Sequence, residues 1–194
     1  MLTDIAQNES GRNSILSIMT RYVALLRGVN VSGKNKLPMA LLRDALDKTS
    51  FYGVTTYIQS GNIVFNSDLK SAQCADIISE LLKSEFDLVV PVMVKKQEVI
   101  SDTLKVNPFK TRTIENLKFM SFGFLSECPV QEKVTATEEC SNDVETFKII
   151  DDVIYFYCGV GFGKTKMTNA WFEKKLGVTS TMRNYNTTLK LTEL

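Results

Sequence analysis

Two short segments place lysines beside glycines. Residues 32–36 read Ser-Gly-Lys-Asn-Lys and residues 162–166 read Phe-Gly-Lys-Thr-Lys, so G-K-x-K occurs twice. Glycine lets backbone N–H groups approach an oxyanion, and lysine adds a mobile positive charge. The second segment lies within Cys158-Gly159-Val160-Gly161-Phe162-Gly163-Lys164-Thr165, which nearly spells the phosphate loop G-x-x-x-x-G-K-[ST]. Gly163, Lys164 and Thr165 fit its end, but the first glycine position is Cys158, and Gly159 falls one residue late. Of 194 residues only 29 follow Thr165, too few for the parallel sheet and acid-bearing strand of a nucleotide hydrolase. The dinucleotide pattern G-x-G-x-x-G also fails, since its third glycine falls on Lys164. Two readings stay open for this segment. It is a plain strand-to-helix connection, or an anion-binding nest before a helix, with Lys164 and Lys166 adding charge.

Other polar residues gather around these loops in sequence. Arg27, Asn30, Gly33, Lys34 and Lys36 belong to the first, and Arg183 and Asn184 follow the second. If the two halves of the chain face each other, these residues would line one basic cleft. The segment Gln59-Ser60-Gly61-Asn62 is turn-forming. Hairpin chemistry accounts for Gly61 and Asn62 but not for Gln59 and Ser60, which are therefore candidates. The candidate anion-binding set is completed by Asn62, Gly163, Lys164 and Lys166.

Several chemistries are excluded or disfavoured. The chain has no histidine, so no scheme that needs an imidazole applies, neither Ser-His-Asp nor Cys-His nor a zincin. The four cysteines, Cys74, Cys128, Cys140 and Cys158, form no C-x-x-C pair, and no zinc cluster is expected. Cys158 stands near lysines and a helix start, which would lower its pKa, but no histidine is there to act as its base. Asp151-Asp152 reads as a turn without a third acid for a metal, and Glu138-Glu139 as a solvated helix face. Tyr22, Phe65, Phe119, Phe122, Tyr155 and Tyr157 raise base stacking on a sheet. The required R-G-[FY]-[GA]-F pattern is absent, and core packing accounts for Tyr155 and Tyr157 on one face of a strand.

The elements that must position these residues follow from periodicity. Residues 22–26, all apolar apart from the Tyr22 hydroxyl, read as a buried strand, and Pro38 opens a helix with Met39, Leu42, Ala45 and Leu46 on one side. Residues 54–58 and 63–65 flank the turn at 59–62 as a hairpin. Residues 67–86 hold an amphipathic helix, with Cys74, Ile77, Ile78, Leu81 and Leu82 as its stripe. Residues 88–94 form a strand that Pro91 consigns to a sheet edge. The order is β-α-β-β-α-β, the ferredoxin-like plait. The second half repeats it. A linking helix after residue 95 leads to a polar turn, a strand at 117–125 and a helix from Pro129. A hairpin around Asp151-Asp152, a helix at 169–176, a short strand near Thr181 and a final helix follow. The expected fold is α+β, two tandem ferredoxin-like subdomains with antiparallel sheets. They span residues 19–94 and 95–194 behind a flexible extension at 1–18.

"RYVALLRGVNVSGKNKLPMALLRDAL", "TYIQSGNIVF", "NPF" and "TMRNYNTTLKL" together resemble the bacterial family called domain of unknown function 1697, from about Thr20 to Leu194. The resemblance implies tandem ferredoxin-like halves and brings no activity or cofactor. The family's recurrent polar motifs fall on Arg27, Gly28, Asn30, Gly33, Lys34, Gln59, Ser60, Gly61, Asn62, Arg183 and Asn184. Two positions depart from it: Tyr185 stands where the family usually has Trp, and Cys158-Gly159 where proline commonly precedes the second glycine loop.

The net charge of +1 advertises no general affinity for nucleic acid, and residues 1–18 show no secretory h-region. A cytosolic protein that binds an anion in a basic cleft is expected. The partner would be a nucleotide, a phosphorylated metabolite or a nucleic-acid segment, with no membrane and no cofactor identified. Two rivals stand beside it: a phosphoryl- or nucleotidyl-handling enzyme that works without histidine, and a scaffold with no ligand.

Overall fold

A computed structural model describes residues 19–31 and 33–194, with Glu115 through its backbone alone. The extension expected over residues 1–18 lies outside the described residues. The chain divides between Gln97 and Glu98 into two compact units. It is a mixed α+β protein with two four-stranded antiparallel sheets. Among the described residues, no helix is long and apolar enough to cross a membrane.

The first unit runs β1 (Thr20–Leu26), α1 (Met39–Leu46), β2 (Tyr52–Tyr57), β3 (Asn62–Ser67), α2 (Ser71–Phe86) and β4 (Val92–Lys96). Its strands lie in the order β2-β3-β1-β4, each antiparallel to its neighbour. Alternation decides the faces. Tyr22, Ala24 and Leu26 of β1, with Ile63 and Phe65 of β3, pack against Leu42 and Leu46 of α1 and Cys74, Ile78 and Leu82 of α2. Val23, Leu25 and Val64 point to the opposite face and are fully buried too. A central strand covered on both faces needs apolar residues throughout, which is why β1 shows no polar alternation. β4 lies at the sheet edge. It starts immediately after Pro91, whose carbonyl accepts a hydrogen bond from the Arg27 N–H at 3.0 Å. Residues 88–91 are therefore outside the strand expected over 88–94, and α2 begins at Ser71 rather than at residue 67.

The second unit holds α3 (Gln97–Lys105), α4 (Lys110–Glu115), β5 (Met120–Leu125), α5 (Gln131–Glu138), β6 (Glu145–Ile150), β7 (Val153–Cys158), α6 (Asn169–Leu176), β8 (Ser180–Asn184) and α7 (Tyr185–Leu191). The strand order is β6-β7-β5-β8, again antiparallel throughout. Leu125, Phe147, Ile149, Ile154, Phe156 and Cys158 share the face that packs on Phe172 and Leu176 of α6. Residues 107–116, expected as a polar turn, instead contain α4. Asn107, two residues before the N-cap Phe109, braces the entry to that helix: its Oδ1 accepts from the Phe109 N–H at 3.0 Å, and its Nδ2 donates to Thr113 Oγ1 at 3.0 Å. β5 is shorter than the strand expected over 117–125, because residues Leu117–Phe119 form a 3-10 turn.

Candidate functional site

The first glycine loop, residues 27–37, leaves β1 as a small hairpin of its own. The Asn30 N–H donates to the Asn35 carbonyl at 3.0 Å and the Lys34 N–H to the Val31 carbonyl at 2.9 Å, so Val31 and Lys34 pair across the tip. Four of its residues have left-handed backbones: Gly28 (φ 71°), Asn30 (φ 54°), Gly33 (φ 76°) and Asn35 (φ 48°). Glycine adopts this region freely, and asparagine tolerates it better than other side chains do. The alternation of Gly and Asn is therefore a folding instruction.

The asparagine side chains then lock the shape. Asn30 Oδ1 accepts from the Leu37 N–H at 2.8 Å, while its Nδ2 donates to the Leu37 and Gln59 carbonyls, each at 2.8 Å. Asn35 Nδ2 donates to the Gly28 carbonyl at 2.9 Å. The bond to Gln59 ties this loop to the turn at residues 58–61, which closes β2 onto β3. In that turn Asn62 Nδ2 donates to the Tyr57 carbonyl and to Ser60 Oγ, each at 3.0 Å. The Leu26 N–H donates to the Gly61 carbonyl at 2.8 Å.

Asn30 and Asn62, named from sequence as anion contacts, hold backbone groups of the two loops, and Ser60, named with them, accepts from the Asn62 amide. Gly33, Lys34, Lys36 and the Gln59 side chain are exposed around that frame, and Arg27 is half-buried beside it. A Cβ at Gly33 would meet nothing within 4 Å, so its backbone is open to an approaching group. The sequence reading missed Asn35 and the left-handed Ile58 (φ 49°). The N-x-x-x-x-N spacing of Asn30 and Asn35 was the available signal for the first.

The second glycine loop, residues 159–168, is built differently. The Gly161 N–H donates to the Cys158 carbonyl at 2.9 Å, and the Lys164 and Thr165 N–H groups donate to the Gly161 carbonyl at 2.9 and 3.3 Å. Thr165 Oγ1 accepts from the Met167 N–H at 2.9 Å. The Gly161, Lys164, Thr165 and Met167 N–H groups are thus engaged inside the loop. The N-cap of α6 is Thr168, whose side chain accepts from the Trp171 N–H, so Gly163 and Lys164 lie several residues before the helix. Phe162 lays its ring against Phe156 at 5.7 Å, anchoring the loop to the core. Gly163, Lys164 and Lys166 remain exposed.

Cys158 is fully buried, and burial pushes its thiol up, opposite to the lowered value expected from its neighbours in sequence. The lysines that prompted that expectation face solvent. Arg183 is buried in the sheet, opposite Phe122, and donates from Nη1 to Thr181 Oγ1 and the Met182 carbonyl, each at 2.9 Å. Burial lowers its guanidinium to about 10, still charged at neutral pH. Asn184 is the N-cap of α7, with Oδ1 accepting from the Thr187 N–H at 2.8 Å. Both belong to the framework of their unit. Glu138, expected as part of a solvated face, accepts from the Ile149 N–H at 2.7 Å and pairs with Lys148 at 2.7 Å. Tyr22, Phe65, Phe122 and Tyr155 are buried, so none offers a face for base stacking. Asp151 (φ 52°) and Asp152 form the turn between β6 and β7, and no group of three or more metal-ligating side chains occurs among the described residues.

Two comparisons with known proteins find relatives of this chain. Residues 19–155 match the model of a family described as Protein of unknown function (DUF1697). That span contains the first glycine loop and the turn at 58–61 and ends before the second loop. Among solved structures, the chain is similar to a conserved bacterial protein, SP0830, from Streptococcus pneumoniae. The TM-score is 0.69 at 25% sequence identity, covering 90% of this chain and 98% of that one. No curated protein matches.

Proposed function

We propose that this chain, which belongs to the DUF1697 family of proteins of unknown function, binds a phosphate-bearing anion at the first glycine loop. The observation that carries the reading is the Asn30 side chain, which bonds to both Leu37 and Gln59 and so fixes two loops as one unit. A loop ordered in advance loses little freedom when a ligand arrives. What this one presents is cationic: Lys34 and Lys36 exposed, the open backbone at Gly33, and the Gln59 amide. Each unit in this reading is a ferredoxin-like plait. The β-α-β-β-α-β order and the strand orders β2-β3-β1-β4 and β6-β7-β5-β8 support that assignment. The plait places the loop after β1 beside the β2–β3 turn.

Titration calorimetry of the full chain with inorganic pyrophosphate tests the site. Binding is expected to weaken as salt is raised, because the attraction is between exposed charges. The double variant Lys34→Ala, Lys36→Ala is expected to lose roughly tenfold or more in affinity, about 1.4 kcal/mol, with its melting temperature unchanged. Equal affinity in the variant, or no heat of binding at all, would remove the site.

A further inference from the structure

The aromatic residues that raise base stacking divide in two. Tyr22, Phe65, Phe122 and Tyr155 are buried, whereas Phe119 and Tyr157 are half-buried. Both lie on the central strands of the second sheet, β5 and β7. Phe119 stands one residue before β5, and Tyr157, in β7, pairs with Met120. Phe156 and Cys158 face α6, so Tyr157 between them faces the other side of the sheet. The two rings meet edge to face, with centroids 6.0 Å apart and planes at 80°.

Each ring also has a cation over it. Arg112 Cζ of α4 lies 5.8 Å from the Tyr157 centroid, and Lys118 Nζ lies 5.0 Å from that of Phe119. Both cationic side chains are exposed. Arg112 Nη1 donates to the Asp143 carbonyl at 3.3 Å, a neutral acceptor. Among the described residues no carboxylate pairs with either cation. Four side chains from α4, the 3-10 turn and β7 therefore form one connected cluster, in which ring and positive charge alternate.

A lone phosphate would use the cations and leave the rings idle. A strand of nucleotides uses both, with a base on a ring and a phosphate on a cation. A cation over an exposed ring is held weakly, so an arriving base can take the ring while the cation turns to the adjoining phosphate. Bases inside a duplex are already stacked on one another and cannot do this.

We propose that this end of the second sheet binds single-stranded nucleic acid, with Phe119 and Tyr157 stacking one or two bases and Arg112 and Lys118 meeting the phosphates beside them. The proposal concerns the second unit alone and does not depend on the anion reading of the first glycine loop.

Fluorescence anisotropy of the full chain tests it with a labelled RNA of about 12 nucleotides, the DNA of the same sequence, and the DNA duplex of that length. At least one of the single strands is expected to bind tenfold or more tighter than the duplex. Tyr157→Leu and Phe119→Leu keep an apolar side chain and remove the ring, and each should weaken binding of that strand at least threefold. Arg112→Gln and Lys118→Gln change exposed side chains only. Each should lower the slope of log affinity against log salt by about 0.7. The double variant Lys34→Ala, Lys36→Ala should bind the strand as wild type does, which separates this surface from the first glycine loop. No binding of either strand overturns the proposal. Equal binding of strand and duplex does so too, since backbone charge alone would give it. Wild-type affinity in both leucine variants overturns it as well. Should those variants melt at a lower temperature, the glutamine variants decide, and an unchanged salt slope in both overturns the proposal. Loss of binding confined to the Lys34, Lys36 double variant has the same consequence.

Discussion

Gly61 and Ser121 show how differently single positions constrain this chain. At Gly61 a Cβ would stand 2.5 Å from Val29 Cγ2 and 2.7 Å from Leu26 Cβ, and the backbone is left-handed at φ 73°. Space and conformation both demand glycine, so Gly61→Ala should cost at least about 2 kcal/mol in urea unfolding. Ser121 is the opposite case. Its hydroxyl is buried and has no hydrogen-bond partner among the described residues. Removing it deletes a desolvated polar group and little volume, so Ser121→Ala should stabilise by roughly 1 kcal/mol. Legibility at this scale follows sequence distance. Gly61 and Asn62 announce a turn by residue type alone. Asn30 looked like a ligand contact because its partner Gln59 lies 29 residues away, and only the folded chain brings them together. Arg183 misled for a related reason. In a strand, whether a charge faces solvent depends on what covers that face, and the sequence near Arg183 does not say.

Elements were legible where they bury an apolar stripe or turn tightly. α1, α2 and the two hairpins have such signals, whereas Pro91, read as a residue inside β4, stands just before it, and the strand order alone puts β4 at the edge. α4 has none: Lys110–Glu115 is short and polar, and its N-cap, Phe109, offers no capping side chain, so it read as a turn. The contact between α5 and β6 was also hidden. β6 is an edge strand, and its outward N–H at Ile149 is covered by Glu138 Oε1 rather than by another strand. An unsatisfied edge invites pairing with other chains. Glu138→Ala should therefore cost about 1–2 kcal/mol, since it removes a charged acceptor from a half-buried N–H. It should also raise light scattering at high concentration, which an exposed ion pair with Lys148 would not explain. The Asn184 cap on α7 gives a companion test at the end of the chain. Asn184→Ala should cost about 1 kcal/mol in unfolding, the usual loss for an N-cap asparagine.

At the scale of the whole molecule, the succession of strands was legible in both halves because each strand is bounded by its own turn or helix signal. The buried ionisable groups were not, and they set the response of folding to alkali. Tyr155 lies on the face of β7 turned away from α6, with its ring edge-on to Phe122 at 5.8 Å. Burial pushes its hydroxyl up to about 12, partly offset by a hydrogen bond with Thr103. A phenol raised in the folded state adds stability that is complete below pH 10, where the unfolded group begins to ionise. It is lost as pH rises through 12. The two-unit rise corresponds to about 2–3 kcal/mol. Burial also raises the thiols of Cys74 and Cys158, so some stability should be lost slightly earlier, from about pH 9 upward. Arg183 works in the opposite sense, since its lowered value makes burial of its charge less costly as pH passes about 10. Comparing wild type with Tyr155→Phe separates the phenol from both, because the thiols and the guanidinium are common to the two proteins. Denaturant unfolding between pH 9 and 12 should show wild type losing stability faster than the variant above pH 10. Parallel curves would mean that the Tyr155 hydroxyl ionises in the folded protein as readily as in the unfolded chain.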